Sequence, residues 1–134
     1  MKYLLDTNIC IYLIKRKPSH VFEQFARHKV GDIGISAITY SELAFGVANS
    51  EREEQNQLAL QEFIAPMEVA DFPSGAATVY GQIRAELKKK GISLGPLDML
   101  IAAHSLFLGT TLVTNNAKEF SRIPHLPIEN WAAD

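Results

Sequence analysis

Gly95-Pro96-Leu97-Asp98-Met99-Leu100-Ile101-Ala102-Ala103 opens a helix, and Gly109 stops it just before the apolar run Thr111-Leu112-Val113. Pro96 suits a first helical position and Gly109 a left-handed stop. The spacing predicts a helix to about Leu108 and a buried strand over 111–113. A helix that hands over to a short apolar strand is the repeating unit of a parallel sheet. The N-terminus follows the same pattern. Residues 2–6 read as a buried strand ending in Asp6, and residues 8–15 as a helix with Thr7 or Asn8 as cap.

Pro18 is expected to open a second helix to about His28, with Val21, Phe22 and Phe25 on one face, before Gly31 breaks it. Asp32-Ile33-Gly34-Ile35 reads as a strand, and Thr39 to Ala48 as a helix. A further helix over Glu51 to Ile64 starts solvated and packs through Leu58, Phe63 and Ile64; Met67-Glu68-Val69 then reads as an edge strand. Residues 74–90 form a long helix that ends in Lys88, Lys89 and Lys90 ahead of Gly91, as the macrodipole favours. Asn116 to Phe120 makes one helical turn, and Pro127-Ile128-Glu129 a last strand. Strands alternating with helices predict an α/β fold, a three-layer α/β/α sandwich around a short parallel sheet.

The 134 residues suit one domain over 1–134, long enough to bury roughly 68–70% of the unfolded surface. A net charge of −2 gives no global attraction to nucleic acid, so any such binding must come from local patches. The single Cys10 excludes an internal disulfide. No apolar run approaches the roughly 20 residues of a membrane span. One lysine ahead of Asp6 makes no secretory signal, so a soluble cytoplasmic protein with no membrane contact is expected.

Three acids fall where strands stop or helices begin: Asp6, Glu42 and Asp98. Each has a local explanation. Asp6 fits an Asx turn or helix cap, Glu42 completes a capping box with Thr39, and Asp98 complements a helix dipole. Asn116-Ala117-Lys118-Glu119 repeats the cap-and-Glu spacing. As a set they converge on the carboxyl rim of a parallel sheet, where an open α/β fold binds its ligand. Like charges gathered there repel by roughly 4 kcal/mol per pair at about 4 Å and an effective dielectric near 20. A hard divalent cation is the usual counterweight, which points to a metal-dependent hydrolase.

The motifs are Leu4-Leu5-Asp6-Thr7-Asn8, Ser36-x-x-Thr39-x-x-Glu42-Leu43-x-x-Gly46, Ile83-Arg84-Ala85-Glu86-Leu87, Gly95-Pro96-Leu97-Asp98-x-x-Ile101-Ala102 and Val113-Thr114-Asn115-Asn116-x-x-Glu119-Phe120. In this order and spacing the chain resembles the PIN-domain ribonucleases, specifically the VapC-type toxins of bacterial toxin–antitoxin pairs. The resemblance spans nearly the whole chain and implies a PIN-like fold. It also implies that Asp6, Glu42 and Asp98 coordinate Mg²⁺ or Mn²⁺. Many members carry an Asp where this chain has Asn116, so the fourth ligand is either the Asn116 amide or Glu119 one turn later. Thr7 and Asn115 would support the ligands.

The resemblance further implies a metal-dependent endoribonuclease that inhibits translation by cutting structured RNA, with a transfer RNA anticodon loop among the candidates. It implies a homodimer and a VapB-type antitoxin whose C-terminal segment crosses the active-site groove. Lys15, Arg16 and Lys17, and Arg84 with Lys88, are the candidate RNA contacts; both clusters also fit solvated helix ends. His20, His28, His104 and His125 are scattered, which disfavours a metal-independent ribonuclease. The alternatives are a metal-dependent phosphatase, which wants an Asp at Asn8, and a catalytically weak α/β interaction module, favoured only by Asn116.

Overall fold

Five short parallel strands form the centre of the computed structural model, which describes residues 1–133: β1 (Tyr3–Leu5), β2 (Ile33–Ser36), β3 (Glu68–Ala70), β4 (Thr111–Val113) and β5 (Ile128–Glu129). They lie in the order β3-β2-β1-β4-β5. Leu4 is level with Gly34 and Leu112, and Leu5 with Ile35 and Val113. The chain steps from β1 through β2 to β3 on one side, then returns to the other side of β1 with β4. That reversal leaves a crevice beyond the carboxyl ends of β1 and β4, the ligand position of doubly wound sheets.

The helices are α1 (Thr7–Lys15), α2 (Ser19–Ala26), α3 (Ala37–Ala48), α4 (Glu53–Ile64), α5 (Ser74–Lys89), α6 (Pro96–Leu108) and α7 (Ala117–Phe120). Alternate strand residues face opposite layers. Leu5, Ile35 and Val113 pack with Ile9, Leu13, Val21, Leu43 and Leu60 from α1 to α4. Leu4 and Leu112 pack with Ile83, Leu87, Ile101 and Phe120 from α5 to α7. This is the expected three-layer sandwich. Leu4, Leu5, Leu112 and Val113 are fully buried, each contributing roughly 1.5–3 kcal/mol, so the ends of β1 and β4 are firmly placed. Among the described residues no helix is long and apolar enough to cross a membrane.

Several local expectations shift. Asp6, not Thr7 or Asn8, caps α1, because the strand ends one residue earlier and leaves Asp6 extended at the junction. Asp32 belongs to a 3-10 turn over Val30–Asp32 ahead of β2, and α2 ends at Ala26. Ser36 caps α3, its Oγ accepting the Ile38 N–H at 3.0 Å, so Thr39-to-Glu42 is no capping box. On α4 the core residue is Leu60, while Leu58 is exposed. Phe22 lies at the surface beneath Arg16.

Candidate active site

Asp6 is the first residue past β1, and the fold holds it in place from two sides. Its Oδ1 accepts the Ile9 N–H at 2.9 Å, and its carboxylate also accepts the Thr114 hydroxyl just past β4. The side chain is 5% exposed. Burial lifts its pKa from the ordinary 3.8 to about 6, opposed by the two hydrogen bonds and reinforced by the charges of Asp98 and Glu42.

Asp98 is the third residue of α6, where a helix dipole should lower a carboxyl's pKa. Its pKa is raised instead, by burial first and then by Glu42 and Glu119. The surroundings outweigh the dipole. Glu42 falls in the second turn of α3, past any capping role, and its Oε1 accepts the Thr7 hydroxyl at 2.6 Å. The structure therefore brings Asp6, Glu42 and Asp98, from β1, α3 and α6, into one electrostatic neighbourhood at the β1–β4 crevice. Among the described residues no three acidic, histidine or cysteine side chains form a preformed ion cage. The carboxylates share a field rather than a contact, as mutually repelling groups do.

At the fourth position, the Glu119 charge reaches Asp98 even though Glu119 also pairs with Arg122 at 3.4 Å. The Asn116 side chain makes no cap bond, and the Asn116 backbone N–H donates to Thr114 Oγ1 at 2.9 Å. The Asn115 amide donates to the Tyr12 hydroxyl at 2.8 Å. Its buried Oδ1 has no partner among the described residues. Thr114 and Ser36 stand in the quoted motifs with no role assigned to them, and Tyr12 was not singled out from the sequence. The one available signal was Thr114, a hydroxyl following a buried strand.

The two basic clusters lie apart. Lys15 lines an apolar groove of about 310 Å³ beside Glu42, Leu43 and Leu60. Arg16 stacks over the Phe22 ring at 5.4 Å, and Lys17 is exposed. Arg84 and Lys88 line a different cavity near the start of α6. No histidine serves this site. The fully buried His104 bonds Ser36 Oγ through Nδ1 at 2.8 Å, and burial lowers its pKa. Cys10 is buried, and burial, then Asp6, pushes its thiol up, which removes a thiolate nucleophile.

The family model described as PIN domain matches residues 3–126, a span containing every acid above. The chain belongs to the PIN-domain family, in its VapC branch. It is 45% identical over 132 residues to Ribonuclease VapC2 of Rickettsia felis, covering 98% of each chain. It is 45% identical over 131 residues to the tRNA(fMet)-specific endonuclease VapC of Salmonella typhimurium, again covering 98% of each. Among solved structures, DNA-bound VapBC from Salmonella typhimurium is similar with a TM-score of 0.93 and 45% identity, covering 98% of this chain and 99% of that one. The PIN-domain model ends at residue 126, just short of β5 and of the Trp131 ring, which stacks on His28 at 4.9 Å.

Proposed function

We propose that this chain is a Mg²⁺- or Mn²⁺-dependent endoribonuclease, the toxin of a toxin–antitoxin pair, acting on structured RNA in the cytoplasm. The observation that carries the reading is the shared field of Asp6, Glu42 and Asp98 at the crevice between β1 and β4. Three carboxylates of like charge, Asp6 and Asp98 among them desolvated, suit a hard cation. Asp6, Glu42 and Asp98 would hold it, with Glu119 the better placed fourth acid. When bound there, such an ion would polarise a phosphoryl oxygen and lower the pKa of a bound water.

The chain's own groups supply the positioning. The Thr7 hydroxyl fixes Glu42, while Thr114 and the first turn of α1 fix Asp6. Outer partners of this kind orient ligands and typically matter 10- to 100-fold in metal affinity or activity, as a rough guide. Cleavage leaves 5′-phosphate and 3′-hydroxyl ends and needs no ribose 2′-hydroxyl. The name of the Salmonella relative specifies tRNA(fMet), which supports a transfer RNA substrate here. Single-stranded loops such as an anticodon loop expose the bases such an enzyme reaches.

The groove beside Glu42, lined by Ile11, Ile14, Leu43, Val47 and Leu60, suits an apolar segment of a VapB-type antitoxin. An Arg or Lys on that segment would reach the acids and neutralise them. A homodimer of the toxin completes the proposal. With purified protein, Mg²⁺ or Mn²⁺ is expected to support RNA cleavage and EDTA to abolish it. Persistent cleavage in EDTA would overturn the metal-dependent reading.

A further inference from the structure

α5 and α6 run antiparallel. Gly75 near the start of α5 packs against the Phe107 ring near the end of α6, and Lys88 returns beside Pro96. At that corner lies a cavity of about 460 Å³, lined among others by Arg84, Leu87, Lys88, Ser93, Pro96 and Met99. Pro96 and Met99 flank Asp98 in the first turn of α6, so the cavity lies at the same helix end as that acid. Its lining holds two cations and no acid.

Arg84 and Lys88 are exposed and one helical turn apart. The Arg84 guanidinium donates to the neutral Tyr80 hydroxyl at 3.0 Å and makes no ion pair among the described residues. Lys88 makes no ion pair among the described residues, whereas Lys90 is paired with Glu86 at 3.2 Å. Gly95, at the N-cap of α6, offers no side-chain acceptor, and Pro96 has no N–H, so only the Leu97 and Asp98 N–H groups of the first turn lack a side-chain cap. A polyanion approaching clustered carboxylates needs cationic purchase nearby, and a chain of net charge −2 must provide it locally. The Lys15 groove is apolar and shares its lining with Glu42, so it offers no comparable acid-free surface.

We propose that the α5–α6 corner binds a backbone phosphate of the RNA strand flanking the bond that is cut, a reading that rests on the nuclease assignment above. Arg84 supplies a two-pronged donor to the phosphate oxygens and Lys88 a mobile point charge. The contact carries no sequence information. It sets the register of the strand across the acids.

The test is the affinity for a fluorescent transfer RNA in EDTA, where the RNA stays intact, measured over a series of salt concentrations. The Arg84→Ala/Lys88→Ala double variant is expected to bind severalfold more weakly. Its slope of log K against log salt should be shallower by about 0.7, the counterion release of one single-strand phosphate contact. Arg84→Lys with Lys88→Arg should recover most of the slope, and Arg52→Ala, on the distant start of α4, should change neither quantity. Lys88→Glu alone provides a second reading that leaves the Arg84–Tyr80 bond in place. If wild type cleaves RNA with Mg²⁺ and the variants bind with unchanged affinity and slope, the subsite is overturned while the nuclease assignment stands. If wild type neither binds nor cleaves RNA with Mg²⁺ present, the nuclease assignment fails and takes the subsite with it.

Discussion

Asp98→Asn is expected to lower Mg²⁺-dependent RNA cleavage by on the order of 10³-fold, the loss of several kcal/mol of metal-borne stabilisation. The metal-free variant should be at least as stable as wild type. An acid in the first turn of a helix normally gains about 0.3–1 kcal/mol from the dipole. At Asp98 burial and the charges of Glu42 and Glu119 outweigh that gain, since its pKa is raised, not lowered. A neutral amide of the same shape relieves the repulsion. Single-turnover cleavage and urea unfolding in EDTA check both halves. A variant that cleaves normally would remove Asp98 from the site, and one that unfolds would make its carboxylate a structural device of α6.

The second large effect concerns Asp6. Its carboxyl titrates at about 6 in the folded chain against an ordinary 3.8, so the native state holds the proton more tightly than the unfolded one. Stability from this group is fully present below the unfolded value and is lost as pH rises through about 6. The loss amounts to about 3 kcal/mol by neutral pH. Asp6→Asn keeps an oxygen to accept the Ile9 N–H and carries no charge to desolvate. Its stability advantage over wild type in EDTA is therefore expected to grow by about 2 kcal/mol between pH 4 and 7, measured by urea unfolding across that range. Millimolar Mg²⁺ should close the gap by stabilising wild type alone, by roughly 2.7 kcal/mol at 100 times the Kd. A pH-independent difference would mean that Asp6 is not the desolvated acid of the cluster.

The legible parts of this chain were those where one residue type has one physical use. Gly109 and Gly91 sit at φ values of 72 and 69, where only glycine is comfortable, and each marks a helix end readable from the sequence. The runs at Leu4-Leu5 and Leu112-Val113 are apolar on successive residues, as strands covered on both faces must be, and they place the Asp6 junction within a residue. Asp98 stood out because Pro96 fixes where its helix begins.

What stayed hidden depended on register and on contacts between distant segments. Thr39 and Glu42 match a capping box in spacing, yet β2 runs to Ser36, whose hydroxyl takes the cap first. The same one-residue uncertainty moved the α1 cap from Thr7 back to Asp6, which freed Thr7 to hold Glu42. Leu58 and Leu60 are equally apolar, and only the way α4 leans on its neighbours decides that Leu60 is inside. Thr114 beside Asp6 is a pairing across 108 positions in the chain, created by β1 lying next to β4. That the Glu119 charge reaches Asp98 likewise depends on how α7 and α6 are brought together, which composition does not encode.

Anomalous diffraction from crystals soaked in Mn²⁺ tests the central claim most directly. A manganese peak is expected beyond the carboxyl ends of β1 and β4, bound by carboxylate oxygens of Asp6, Glu42 and Asp98 about 2.1–2.2 Å away. Crystals that hold no manganese there, or hold it only elsewhere on the protein, would contradict it.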